Sequence, residues 1–199
     1  MAQLVLTSDT LAGTPATGTL EYNGQFFGTD SAVARAQMQR ITLATAVAST
    51  SGTSIDFTSI PAWVKRITVM FLGVSTSGTS VVQIQLGAGS VTTTGYLSSA
   101  STLINTGTVV GATQTTGFGV EASAGSITAA ATRNGHAIIT LITGTTWVNN
   151  SNISFSNTAI SVLSGGNIAL GGTLDRVRLT TVNGTDTFDA GSVNILYEG

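Results

Sequence analysis

The amino-acid sequence predicts an all-β protein, an antiparallel, jelly-roll-like β-sandwich with a short N-terminal hairpin and one short helix. Apolar segments recur at intervals of about 8–12 residues, separated by Gly, Ser, Thr and Asn, which is typical of sandwich strands and their turns. Within many segments apolar and polar residues alternate, as expected of strands that bury one face. No repeat of fixed period is present, which favours one sandwich over a solenoid or a propeller.

The N-terminal part is predicted to be an attachment and oligomerisation segment, residues 1–40, followed by the sandwich domain, residues 41–199. Asn23-Gly24 favours a tight turn because both positions accept positive φ, so Leu20 to Phe27 is predicted to form a hairpin. Asp30 to Arg40 contains no Gly or Pro and begins with a capping residue, which predicts a connecting helix of about three turns. A lone hairpin is marginal in water, so this segment is expected to pack against a neighbouring subunit, the main domain or another protein.

The clearest strand prediction is Lys65 to Val74. Apolar residues occupy both of its faces, Ile67-Val69-Phe71 on one and Met70-Leu72 on the other. This pattern predicts a central strand that is buried on both sides, with Phe71 in the core. Val81 to Leu86 alternates after a Gly-containing loop and is predicted to pair with the first strand as an antiparallel hairpin.

The remaining predicted strands lie before and after that pair in the sequence. Ile55 to Thr58 alternates, and Pro61 ends this strand because proline lacks the N–H of a ladder residue. Residues 87–134 are rich in Gly, Ser, Thr and Ala and are predicted to form brief strands between long loops, where binding residues often lie. The later predicted strands are Ala137 to Ile142, Thr145 to Val148, Asn152 to Phe155, Ile160 to Leu163, Asn167 to Leu170, Leu174 to Val182 and Ser192 to Tyr197.

Composition limits the function classes. Charged residues make up 8% of the chain and the formal net charge is -2, so self-repulsion is weak and much surface is predicted to be buried between subunits. Seven Lys and Arg provide no basic stripe, so nucleic acid is not an expected partner. No apolar run approaches the roughly 18 residues of a membrane span, and the N-terminus lacks the basic start of a signal peptide. Without cysteine, disulfides, thiolate metal sites and Cys nucleophiles are excluded.

The residues that could carry catalysis or bind metal are sparse. His136 is the only histidine, so a His-based metal site would need carboxylates alone. A triad of Ser, His136 and an aspartate lacks the Gly-x-Ser-x-Gly nucleophile turn. Asp186 and Asp189 lie three residues apart but without the carboxylate density of a calcium loop. The sequence therefore predicts no catalytic, cofactor-binding or metal-binding residue and no cofactor.

Three aromatic residues are candidate ligand or interface residues: Trp63, Trp147 and Tyr96. Exposed aromatic faces stack on sugar rings, and the neighbouring Asn, Gln and Ser side chains could hydrogen-bond hydroxyl groups. The alternative interpretation is structural. In that case Trp63 closes one end of the sandwich, and Trp147 lies in the core or between subunits.

Three passages carry a resemblance to a known family. They are Gly18 to Thr29, which contains Glu21-Tyr22-Asn23-Gly24, then Ile55 to Val69, and Asp175 to Glu198. Together they resemble segments of tail-fibre and related virion surface proteins of tailed bacteriophages. The resemblance implies a homotrimeric β-sandwich knob that is fixed to the particle through its N-terminal segment and faces host surface glycan with its loops. At 199 residues the chain lacks the long shaft of a full fibre.

The sequence therefore predicts a non-enzymatic virion protein, a tail-fibre or receptor-binding subunit, made in the host bacterial cytoplasm. Its expected partners are copies of itself, other virion proteins and host glycan, without membrane insertion. The alternative is a head decoration or cement protein that stabilises the capsid. A depolymerase is not expected, because no pair of acids is placed for glycoside cleavage.

Overall fold

The structure is a computed structural model that describes residues 20–22, 26–29, 35–37, 39–122 and 128–199. The described residues form 17 strands and no helix, which confirms the predicted all-β class. The chain divides into two compact units, residues 1–40 and residues 41–199.

The first unit contains a three-stranded antiparallel sheet made of β1 (Leu20–Tyr22), β2 (Phe26–Thr29) and β3 (Arg35–Gln37). β1 pairs with β2, and the rings of Tyr22 and Phe26 lie 4.9 Å apart across the pair, so the predicted hairpin is confirmed. Its turn, residues 23–25, lies outside the described residues.

The predicted helix is wrong where the structure describes it, because β3 pairs with β2 as a strand. Residues 30–34 and 38 of the predicted helix lie outside the described residues. A helix of about three turns is only marginally stable on its own. Pairing with β2 instead gives the backbone of β3 hydrogen bonds to a neighbouring strand.

The second unit is an antiparallel sandwich of two sheets. The larger sheet has the order β11-β10-β15-β14-β13-β7-β17-β4, with β5 beside β17. Its strands are β4 (Ile41–Leu43), β5 (Val47–Ala48), β7 (Arg66–Thr76), β10 (Leu97–Ile104), β11 (Val109–Gln114), β13 (Arg133–Thr143), β14 (Thr146–Phe155), β15 (Ile160–Ala169) and β17 (Phe188–Glu198).

The smaller sheet has the order β12-β8-β16-β6, with β9 beside β8. Its strands are β6 (Ser54–Thr58), β8 (Val82–Ala88), β9 (Ser90–Val91), β12 (Phe118–Gly119) and β16 (Arg176–Thr181).

One hydrophobic core joins the inner faces of the two sheets. Ile67, Val69 and Phe71 come from the larger sheet, and Ile84 and Leu179 come from the smaller one. The long strands contribute alternate residues to this core, as Ile67, Val69 and Phe71 of β7 show, so the alternation in the sequence identifies the inner face.

The predicted central position of β7 is confirmed, because it pairs with β13 on one side and β17 on the other. Its predicted burial on both faces is wrong. Met70 is half-buried and Leu72 is 69% exposed, since nothing in the described sandwich covers the outer face of the larger sheet.

The predicted hairpin between Lys65 to Val74 and Val81 to Leu86 is also wrong. The first segment is β7 of the larger sheet, whereas the second is β8 of the smaller sheet, paired with β16. The intervening loop crosses from one sheet to the other. Alternation determines which face of a strand is buried but not which strand it pairs with. The predicted hairpin and the observed placement in opposite sheets both bury the same residues.

Candidate functional site

Charged residues are distributed unequally between the two sheets. The strands β10, β11, β14 and β15 contain no Asp, Glu, Lys or Arg, and the only charged residue of β13 is the buried Arg133. On the outer face of the larger sheet, Arg66 and Glu198 form an ion pair near one end. The smaller sheet instead carries Asp56, Arg176 and Arg178 on its outer face.

The outer face of the larger sheet also carries most of the exposed large apolar side chains in the described part of the chain. We call this surface the large-sheet face. Of the thirteen exposed large apolar residues in the described part of the chain, eight lie on it. One group is Leu97, Leu103, Val109 and Leu163 on β10, β11 and β15, and the other is Ile41, Leu43, Leu72 and Ile138 on β4, β7 and β13. The outward side chains of β14, Asn150, Asn152 and Ser154, separate the two groups.

The large-sheet face is extensive enough for a protein interface. Six strands that are neighbours in this sheet are 8 to 11 residues long, namely β10, β15, β14, β13, β7 and β17. With strands about 4.8 Å apart and a rise of about 3.3 Å per residue, they span on the order of 900 Å², close to the roughly 800 Å² that each partner buries in a standard interface.

The outer face of the smaller sheet contains a depression of about 340 Å³. We call it the polar depression, and its principal side chains are Gln83, Gln85, Thr116, Arg178, Thr180 and Asn183. Cross-strand pairing builds its floor, because Thr180 lies opposite Gln83 and Arg178 lies opposite Gln85. The loop between β11 and β12 forms one wall. Gly117 allows this loop its close approach, since a Cβ there would lie 2.7 Å from the Gln83 side-chain oxygen.

Arg178 is paired rather than free. Its Nε and Nη2 donate to the two carboxylate oxygens of Asp56 at 2.7 Å and 3.0 Å. The hydrogen bond to Asp56 raises the pKa of the Arg178 guanidinium above its usual value. A similar contact with Arg176 lowers the pKa of the exposed Asp175 carboxyl.

The three aromatic candidates do not share a site. Tyr96 and Trp147 are buried in the core, so neither presents a ring face to solvent. The Tyr96 hydroxyl accepts a hydrogen bond from the Leu86 amide at 2.7 Å and its ring meets Phe118 edge-on, while burial raises the pKa of Tyr96 to about 12. Trp63 is partly buried and its ring lies 5.7 Å from that of Tyr197. The burial of Trp147 matches the structural interpretation of that residue.

The polar residues that could carry catalysis or bind a metal are also dispersed. His136 is exposed on the outer face of β13, opposite Met70. Asp186 accepts hydrogen bonds from the Ser80 amide and the Asn183 side chain, and Asp189 accepts one from Ser75. Within the described ranges no three His, Asp or Glu residues are grouped so that they could hold a metal ion. Those ranges also contain no helix that could cross a membrane.

The structure reveals a buried ion pair that the sequence did not indicate. Arg133 donates from Nε and Nη2 to the two carboxylate oxygens of Glu121, at 2.7 Å and 2.8 Å, and both side chains are fully buried. The Val82 amide also donates to Glu121, and the Phe155 ring lies 5.4 Å from the guanidinium carbon. The Glu121 carboxylate thus accepts three hydrogen bonds, two from Arg133 on β13 and one from Val82 on β8. The pair therefore links the two sheets inside the core.

No family model matches the chain, and neither the curated proteins nor the solved structures provide a match.

Proposed function

We propose that this chain is a non-enzymatic virion protein of a tailed bacteriophage, a tail-fibre or receptor-binding subunit that assembles as a homotrimer. The large-sheet face is the observation that carries this proposal. It combines exposed apolar side chains with an absence of charge on β10, β14 and β15. Burying apolar area drives association, and a surface without charge avoids both repulsion between copies and the cost of desolvating ions.

The virion location is supported by the resemblance of three sequence passages to tail-fibre proteins. The non-enzymatic character is supported by the separate surroundings of the candidate residues. His136 lies on the outer face of β13, whereas Asp186 and Asp189 accept hydrogen bonds from different loop and strand residues.

Charge placed on the large-sheet face is expected to prevent assembly. Leu72→Arg on β7 and Leu163→Arg on β15 each introduce a cation at a position that is more than half exposed in the single chain. The change should cost little in the isolated subunit, but an interface would have to desolvate the new charge. We expect light scattering to give the mass of three chains for the wild type and of one chain for each variant.

Val182→Arg is the matched control, because Val182 is an exposed apolar residue that follows β16, outside the large-sheet face. It should keep the trimeric mass. Circular dichroism should show the same β spectrum for all four proteins. A trimeric mass for both Leu72→Arg and Leu163→Arg would remove the large-sheet face from the proposal.

The virion location is tested on particles. Antibody labelling in electron micrographs should place the protein on the tail, and gel densitometry should give a low copy number per particle. Labelling over the head at high copy number would instead indicate the decoration role. Absence of the protein from purified particles would contradict both.

A further inference from the structure

The two glutamines of the polar depression are nearly enclosed although they point away from the core. Gln83 and Gln85 alternate along β8 with the core residues Val82, Ile84 and Leu86, yet they are only 2% and 5% exposed. The cover comes from the loop that carries Thr116. The Thr116 hydroxyl donates to the Gln83 carbonyl oxygen at 2.8 Å, and the Gln85 amide nitrogen donates to the Thr116 backbone carbonyl at 2.8 Å.

Each glutamine therefore has one end fixed and the other end available. The amide nitrogen of Gln83 and the carbonyl oxygen of Gln85 have no hydrogen-bond partner among the described residues, and neither is among the fully enclosed unpaired polar atoms. A side chain that is held in place at one end loses little conformational freedom when its other end binds a ligand. The depression thus presents a fixed donor and a fixed acceptor.

The charge in the depression is already neutralised. Among the described residues, Arg178 is the only ionisable side chain that lines it, and Asp56 binds two of the guanidinium nitrogens. The remaining nitrogen, Nη1, has no partner among the described residues and adds a further donor. An anionic ligand gains no net positive charge there, because Asp56 already neutralises Arg178, whereas a neutral ligand needs none.

The size and polarity of the depression then define the ligand class. Its volume of about 340 Å³ lies within the usual range of small-molecule sites. Hydroxyl groups both donate and accept, so adjacent hydroxyls on a ring can satisfy donors and acceptors that alternate across the floor. We propose that the polar depression binds a neutral, polyhydroxylated ligand of the size of a sugar unit. This inference rests on the proposed function in one respect, namely that the sugar would belong to the host surface.

The test is saturation-transfer NMR with the full chain and millimolar glucose, galactose or N-acetylglucosamine, with glucuronate as the charged comparison. We expect the wild type to transfer saturation to at least one of the neutral sugars and to bind glucuronate more weakly. Gln83→Met and Gln85→Met preserve side-chain volume but remove the free donor or acceptor. Each should weaken binding about tenfold, the effect of losing one hydrogen bond.

Thr113→Val is the matched control, because it removes a polar group from a separate depression on the larger sheet, lined by Ser99 and Thr113. It should bind the sugar like the wild type. The proposal is overturned if the wild type binds none of the three neutral sugars, if glucuronate binds best, or if both Met variants bind normally while remaining folded. None of these results bears on trimer formation or on the presence of the protein in particles, which are measured separately.

Discussion

Glu121→Ala is expected to lower the free energy of unfolding by about 3–5 kcal/mol, because it leaves the fully buried Arg133 guanidinium without its counter-charge. The same change removes the acceptor of the Val82 amide and opens a cavity between the sheets. Urea denaturation followed by tryptophan fluorescence measures the effect, with a lower midpoint expected and an unchanged slope. If the midpoint stays at the wild-type value, the buried pair is not a stabilising element of this fold.

Two comparison variants separate the buried charge from other causes. Asp56→Ala breaks an ion pair of similar geometry on the partly exposed surface, and we expect a cost below about 1 kcal/mol. The double variant Glu121→Leu/Arg133→Met removes both charges and should be more stable than Glu121→Ala, because no uncompensated ion remains in the core. A double variant that is less stable than Glu121→Ala would contradict this explanation.

Phe71→Ala is expected to cost about 3–5 kcal/mol, a large part of the roughly 5–15 kcal/mol that stabilises a typical domain. Phe71 is 4% exposed and lies between Gly135 of β13 and Val193 of β17. The neighbouring strands on both sides hold the backbone in place, so the cavity cannot collapse easily. Poor solubility of the variant, or a large fall in its denaturation midpoint, would be the observed result.

The adjacent residue provides the control for this truncation. Leu72→Ala changes a side chain that is 69% exposed on the same strand, so the isolated subunit should lose no more than about 0.5 kcal/mol. His136→Ala, also on the large-sheet face, should likewise leave the fold intact. If Phe71→Ala denatures at the wild-type midpoint, the position of Phe71 in the core is wrong.

The inner face of the sandwich could be predicted from the sequence, because alternation reports burial directly. Ile55 and Phe57, and Ile67, Val69 and Phe71, are buried as their spacing indicates. Strand pairing could not be predicted in the same way. β7 and β8 adjoin in sequence but belong to opposite sheets, and the choice depends on β13, β16 and β17, which lie far along the chain.

The buried pair and the polar depression were not predictable for a related reason. Glu121 and Arg133 lie in a stretch whose composition indicates loops, and neither residue has a local pattern that identifies its partner. Gln83 and Gln85 fall on the polar face of an alternating strand, which normally indicates contact with solvent. Their burial depends on a loop that starts about 30 residues later, so only the tertiary structure reveals it.

The most direct test of the assembly claim is the mass of the purified wild-type chain in solution at micromolar concentration. The chain has a mass of 20.1 kDa, and light scattering should give three times this value, because the large-sheet face is proposed to be covered by further copies. A single species at 20.1 kDa would contradict the claim that this protein works by assembling through that face.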